Sequence, residues 1–163
     1  MTGRIGAIAL ACAGLAACAT APMESEPAAV EGISFETGPC FGACPVYLVT
    51  VGSDGSGVFE GRRFTAADSR REFRITPDQY RAFARHLEPL RPAIGAIRYS
   101  GDSCASMATD LPSADVKWRT SGGAEQELYF YFGCDMEKNR AIAERIRKAP
   151  DLLPIAQFIR RGE

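Results

Sequence analysis

The sequence predicts an α+β domain: a mainly antiparallel sheet with two helices packed on one of its faces, stabilised by disulfides. Three observations carry this. Segments that alternate apolar and polar residues come in pairs joined by glycine-rich turns, which is the pattern of hairpins. Two stretches carry apolar residues at helical intervals behind clear start signals. The connections are short, and the repeated β-α-β unit that a parallel sheet needs is missing.

Taken in order, Ile33-Ser34-Phe35-Glu36-Thr37 alternates and reads as a short first strand. Pro45 to Val51 is apolar on both faces and should be a central strand, with Pro45 at its first position, where a missing donor does least harm. Residues 52–57, Gly-Ser-Asp-Gly-Ser-Gly, form a turn, and Val58 to Phe64 returns as the hairpin partner. Arg71 to Ile75 alternates again as a further strand. Thr76-Pro77-Asp78-Gln79 starts a helix: Thr76 is the cap, Pro77 the first helical residue, and Gln79 completes the capping box. Tyr80, Phe83, Ala84, Leu87 and Leu90 form its apolar stripe, and Pro89 and Pro92 end it. His86 falls about 120° from that stripe at 100° per residue, which places it on a solvated flank.

Residues 91–113 are irregular, with a short strand expected within Ile94 to Tyr99. Asp102 and Asp110 read as turn and cap residues. The clearest hairpin follows. Val116 and Trp118 share one face with Leu128, Phe130 and Phe132, which demands an odd loop, either Ser121-Gly122-Gly123 or five residues. Asp135 is expected to cap a second helix with Ile142, Ala143, Ile146 and Ala149 as its stripe, stopped by Pro150. Asp151 to Ile159 reads as a short final helix.

Composition bounds the function. The chain of 163 residues fits one domain, and 46% hydrophobic with 24% charged residues is enough for a real core. Lys plus Arg is 19 and Asp plus Glu is 20; segment 1–17 holds one Arg and no acid, so the remainder carries 18 bases against 20 acids. That balance gives no pull toward nucleic acid. One histidine in the whole chain leaves little for catalysis. Gly101-Asp102-Ser103-Cys104-Ala105 has the outline of a nucleophilic-serine loop but lacks the final glycine, and His86 alone would have to serve as base. No phosphate-cradling loop, paired-carboxylate signature or histidine-rich metal cluster is present in the sequence, so neither cofactor nor metal is expected.

The N-terminus reads as a targeting segment. Arg4 precedes a short apolar run, Ile5 to Ala17, too short to span a bilayer as a helix. It ends Leu15-Ala16-Ala17-Cys18, which resembles the lipobox of bacterial lipoproteins. The resemblance implies cleavage after residue 17, a thioether-linked diacylglycerol on Cys18 and stable membrane anchoring through several acyl chains. Cleavage after Ala19-Thr20-Ala21 is the alternative. Residues 18–31 then form the lipidated cysteine and a Pro-, Ala- and Glu-rich linker, and residues 32–163 the folded domain.

Of six cysteines, Cys12 leaves with residues 1–17 and Cys18 takes the lipid. Cys40, Cys44, Cys104 and Cys134 remain, an even number that in an oxidising compartment reads as two disulfides with three connectivities open. A four-cysteine zinc site is poorly served by this spacing. The stretch Gly38-Pro39-Cys40-Phe41-Gly42-Ala43-Cys44-Pro45-Val46-Tyr47 resembles the signature of a bacterial lipoprotein family known only as a domain of unknown function, and the likeness continues weakly through Thr109-Asp110. It implies an envelope location and a shared fold and brings no activity. Because the motif holds Cys40 and Cys44 as a unit, it implies the pairs 40–44 and 104–134.

The expected function is therefore a lipid-anchored binding or scaffolding module of the bacterial cell envelope, periplasm-facing on the outer membrane, and not an enzyme. Two alternatives stand beside it: a thiol–disulfide protein using Cys40 and Cys44, and an inhibitor of a secreted or envelope enzyme. The candidate binding surface is Tyr129, Tyr131, Lys117 and Arg119, on the sheet face away from the helices, facing an envelope glycan, peptide, anionic polymer or protein partner. Arg62, Arg63, Arg70, Arg71 and Arg74 would extend it into a basic strip. The plain alternative is an ordinary exposed face with Lys117 or Arg119 over a tyrosine ring, worth about 0.5–1 kcal/mol.

Overall fold

Alternation decides the sheet. In the computed structural model, which describes residues 30–160 together with Met1, the strands are β1 Val30–Thr37, β2 Val46–Gly52, β3 Ser56–Arg63, β4 Arg70–Arg74, β5 Ala96–Tyr99, β6 Ser113–Thr120 and β7 Glu125–Tyr131. They form one sheet in the order β4-β3-β2-β1-β6-β7-β5. Every neighbouring pair is antiparallel except β5–β7, which is parallel. Residues 2–17 of the targeting segment, Cys18 and residues 19–29 of the linker lie outside the described residues. β1 begins at Val30, earlier than the alternation of residues 33–37 suggests.

One face of this sheet is the core. Ile33 and Phe35 of β1, Tyr47, Val49 and Val51 of β2, Phe59 of β3, Ala114, Val116 and Trp118 of β6, and Leu128 and Phe130 of β7 are all buried. Helix α1, Pro77–Leu87, covers this face with Tyr80, Phe83 and Leu87. Helix α2, Arg140–Lys148, adds Ala143 and Ile146. The capping box of α1 is formed in full: Gln79 N–H donates to the Thr76 hydroxyl at 3.2 Å, and the Thr76 N–H donates to Oε1 of Gln79 at 2.9 Å. The β6–β7 hairpin takes the three-residue loop, with Thr120 N–H bonded to the Ala124 carbonyl and Val116 opposite Leu128.

The helical half of the chain departs from the sequence reading at Asp135, at residues 151–159 and at His86. Asp135 does not cap a helix: it has φ +43, turns occupy residues 136–139, and α2 starts at Arg140. The expected helix over 151–159 is broken into a 3₁₀ turn, Ala149–Leu152, and the short α3, Ala156–Ile159. Pro154 is the cause, since it holds Leu153 extended, at φ −113 and ψ 149. His86 is half-buried rather than solvated. Its Nε2 lies 2.8 Å from the Arg145 carbonyl, and an Arg145 guanidinium N–H donates back to the His86 carbonyl at 2.9 Å, so the one histidine ties α1 to α2.

Candidate functional site

The segment Gly38–Pro45 turns the chain from β1 into β2 at one end of the sheet. Its entry and exit are fixed by a single side chain: the Thr37 hydroxyl donates to the Pro45 carbonyl at 2.8 Å and accepts the Tyr47 N–H at 3.1 Å. Gly38 is required by space, because a Cβ there would stand 2.2 Å from the Ser113 hydroxyl oxygen. Gly42 has φ +136, a conformation side chains rarely adopt. Cys40 and Cys44 are bonded, with their Cα atoms 5.8 Å apart. A ring this small has no interior, so Phe41 points out and is 87% exposed. Its backbone is nonetheless held, the Phe41 N–H donating to the Asp110 carbonyl at 3.1 Å. Thr109-Asp110, where the sequence likeness resumes, thus sits beside the Cys40–Cys44 loop. Tyr47, by contrast, is in the core, stacked on Phe59 with centroids 5.2 Å apart, and burial pushes its phenol well above the usual range.

Beside the loop lies an apolar hollow of about 250 Å³ between the sheet and the helix layer. Phe35, Tyr47, Ala114, Phe132 and Ile146 form its wall, Cys44, Pro45, Pro112, Pro150 and Ile159 complete it, and Arg147 stands at its rim over the Phe132 ring at 4.6 Å.

The second disulfide, Cys104–Cys134, is at the same end, its Cα atoms 5.3 Å apart. Cys134 is fully buried. Asp135 finds its work here: its carboxylate accepts the N–H groups of Ala105 at 3.1 Å and Ser106 at 2.7 Å, and these bonds hold it below the usual carboxylate range. Both predicted pairings are present, and the sulfurs are covalently committed to each other.

The four residues of the candidate binding surface do share the sheet face opposite the helices. Lys117 is opposite Glu127 and Arg119 opposite Glu125 on the hairpin, with Lys117 Nζ 3.6 Å from Glu127 and an Arg119 guanidinium nitrogen 3.9 Å from Glu125. The cation over a tyrosine is neither Lys117 nor Arg119: Arg98 of β5 lies 4.2 Å from the Tyr129 ring centroid. Tyr131 is drawn to the end of the sheet, its hydroxyl accepting the Leu111 N–H at 3.3 Å. The basic strip is interrupted: Arg62 pairs with Glu36, Arg70 pairs with Glu60 and Glu72, and Arg71 lies opposite Phe59 in the register, on the other face of the sheet. The face alternates in sign throughout. At its centre is a shallow pocket lined by Ser34, Glu36, Thr50, Asp115, Lys117 and Glu125 among others. Asp115 is half-buried there with Oδ1 unbonded, and burial, then the charge of Glu127, raises its carboxyl above the usual range. Sequence reasoning missed Arg98, Asp115 and the outward placement of Phe41; for Phe41 the signal was present, since a large side chain inside a five-residue disulfide ring has nowhere else to go.

No curated protein and no solved structure matches the chain. A family model described as a domain of unknown function, DUF6438, matches residues 31–150, from the first strand through the end of α2. The match takes in both disulfides and both segments that meet beside Phe41, and on it the chain belongs to the DUF6438 family.

Proposed function

We propose that the protein is a lipid-anchored, periplasm-facing binding module of the bacterial cell envelope, held through Cys18 and acting by non-covalent contact. The observation that carries this is the pairing of all four cysteines among the described residues into two disulfides, an arrangement that forms and persists in oxidising compartments. The lipobox-like Leu15-Ala16-Ala17-Cys18 supplies the means of attachment. The geometry fits such a tether. The chain enters the sheet at Val30, which pairs with Thr120 at the end opposite the Cys40–Cys44 loop, so an anchor upstream leaves the disulfide end free. Linkers of this composition reach a few nanometres.

Intact mass of the protein extracted from membranes tests the reading. The expected species begins at Cys18 and carries a diacylglyceryl group with an N-acyl chain. An unmodified protein beginning past Ala21, free in the soluble fraction, would overturn it.

A further inference from the structure

Residues 93–97, Ala-Ile-Gly-Ala-Ile, are all exposed and carry no charge. They form the loop before β5 and the first half of that strand, which is an edge of the sheet. Ile94 is 86% exposed and Ile97 41%. An exposed apolar run of this length is not something folding asks for, and it marks a contact. The loop is held in place. Gln126 Nε2 donates to the Ala93 carbonyl at 3.0 Å, the Glu127 N–H to the Gly95 carbonyl at 3.0 Å, and Arg91 Nε to Gln126 Oε1 at 2.7 Å. These bonds set it beside the first residues of β7, next to the turn at 121–123, where Val30 of β1 pairs with Thr120. Ile94 therefore stands at the end of the sheet where the chain enters.

We propose that residues 93–97 are a membrane-contact edge, with Ile94 seated in the interfacial layer of the bilayer that holds Cys18. This rests on the anchoring at Cys18 proposed above. Residues 19–29 span at most about 40 Å when fully extended, and the disulfide end lies about 27 Å further along the eight residues of β1. Of the two ends, the tether brings the Val30 end to the bilayer. The backbone permits the contact: the Ala93 and Gly95 carbonyls are already bonded, so lowering the loop among the headgroups strips neither acceptor of a partner. Charge does not select the lipid, because Arg91 pairs with Glu88 and Arg119 with Glu125 around the loop. A protein strand added to this edge is poorly served. β5 has four residues, and the Ser103 hydroxyl already donates to the Arg98 carbonyl at 2.9 Å.

Fluorescence of the membrane-extracted full chain, reconstituted into phosphatidylcholine vesicles whose acyl chains carry bromine, tests this. Trp118 is fully buried, so the parent supplies a constant background. Ile94→Trp should add emission that is shifted to the blue and lost to bromine, while Phe41→Trp at the other end should keep its emission. Hydrogen exchange guards against an indole that carries the loop into lipid by itself: on the same vesicles the amides of 93–97 should exchange more slowly in the parent than in Ile94→Asp. Intact mass is taken first. An unmodified Cys18 sinks the anchored reading and this inference with it. A lipidated chain whose Ile94→Trp emission ignores bromine, or is quenched no more than that of Phe41→Trp, overturns this inference alone. So does slowed exchange at 93–97 that depends on protein density without quenching, which would assign the edge to a second chain.

Discussion

Removing the two disulfides separately should cost unequal amounts, with the larger loss at Cys104–Cys134. In the chain-entropy model the stabilisation depends on the loop closed in the unfolded chain, about 2 kcal/mol for the five residues of 40–44 and about 3.7 kcal/mol for the 31 residues of 104–134. The structure supports applying the model to both, because each bonded segment keeps other ties to the fold. Around 104–134 the Ala108 N–H donates to the Gly133 carbonyl at 3.0 Å, the Asp135 N–H to Ser106 at 2.9 Å, and the Asp135 carboxylate holds two further N–H groups. Around 40–44, Thr37, Gly38 and Phe41 keep their bonds. The native state should therefore persist in either variant, and the loss should come from the unfolded chain. Alanine is the better replacement, since a serine at fully buried Cys134 would add an unpaired hydroxyl. Urea unfolding can be followed through the chain's single tryptophan, Trp118, which is fully buried. The paired Cys104→Ala, Cys134→Ala variant should fall about 1.7 kcal/mol below the paired Cys40→Ala, Cys44→Ala variant, or about 6 °C in thermal midpoint. Equal losses, or a larger loss at 40–44, would refute the entropic argument and show the small ring bracing the core directly.

Asp115→Asn should be more stable than the parent at pH 7. Burial and Glu127 raise the folded carboxyl above its ordinary value, so the parent loses stability as pH rises from that value through the raised one, and the advantage of the variant should vanish by about pH 3. A gap that stays constant with pH would contradict this. Thr76→Ala should cost about 1 kcal/mol in urea unfolding by deleting the cap of α1. A double-mutant cycle on Arg98→Ala and Tyr129→Leu should show a coupling of about 0.5–1 kcal/mol; no coupling would mean the stacking is incidental. Gly61→Ala should be severely destabilising on thermal melting, because its Cβ would lie 1.7 Å from the Ala67 carbonyl oxygen, and a tolerated alanine would show that the 64–69 loop yields freely.

What the sequence made legible was whatever is decided locally. Thr76 and Gln79 are three residues apart and satisfy each other, so the start of α1 needs no tertiary information. The parity of Trp118 and Phe130 sets the hairpin loop because a slip of one residue would turn a fully buried indole toward the charged face. What escaped was decided between distant segments. Asp135 looks like a cap when read against its successors, yet its carboxylate is used by Ala105 and Ser106, thirty and twenty-nine residues upstream. Arg98 reaches Tyr129 only because β5 lies parallel beside β7, a pairing no alternation pattern encodes. The arginines of β3 and β4 looked like a basic strip because their acidic partners, Glu36 and Glu60, come from other strands or other positions along them.

The division of labour within Gly38–Tyr47 bears directly on where a partner would bind. Tyr47 is packed on Phe59 and belongs to the core, Thr37 and the disulfide fix the turn, and Phe41 is the large apolar side chain of the segment left in water. An aromatic side chain in water adds nothing to folding, and outside a contact it is a liability for solubility. The open sheet face is different in kind. There several cations are opposed by acids, Lys117 by Glu127, Arg119 by Glu125 and Arg62 by Glu36, so the two signs are mixed along the face presented to a charged polymer. Exposed pairs of this sort contribute little stability and are weakened by salt, but they also leave few unpaired charges for a ligand to claim. Exposed apolar side chains stand instead at both ends of the sheet, Phe41, Met107 and Met136 at the disulfide end and Ile94 at the other, where the Gly95 carbonyl accepts the Glu127 N–H. That difference gives apolar contact at the ends of the sheet a stronger physical case than recognition of a charged polymer on its open face.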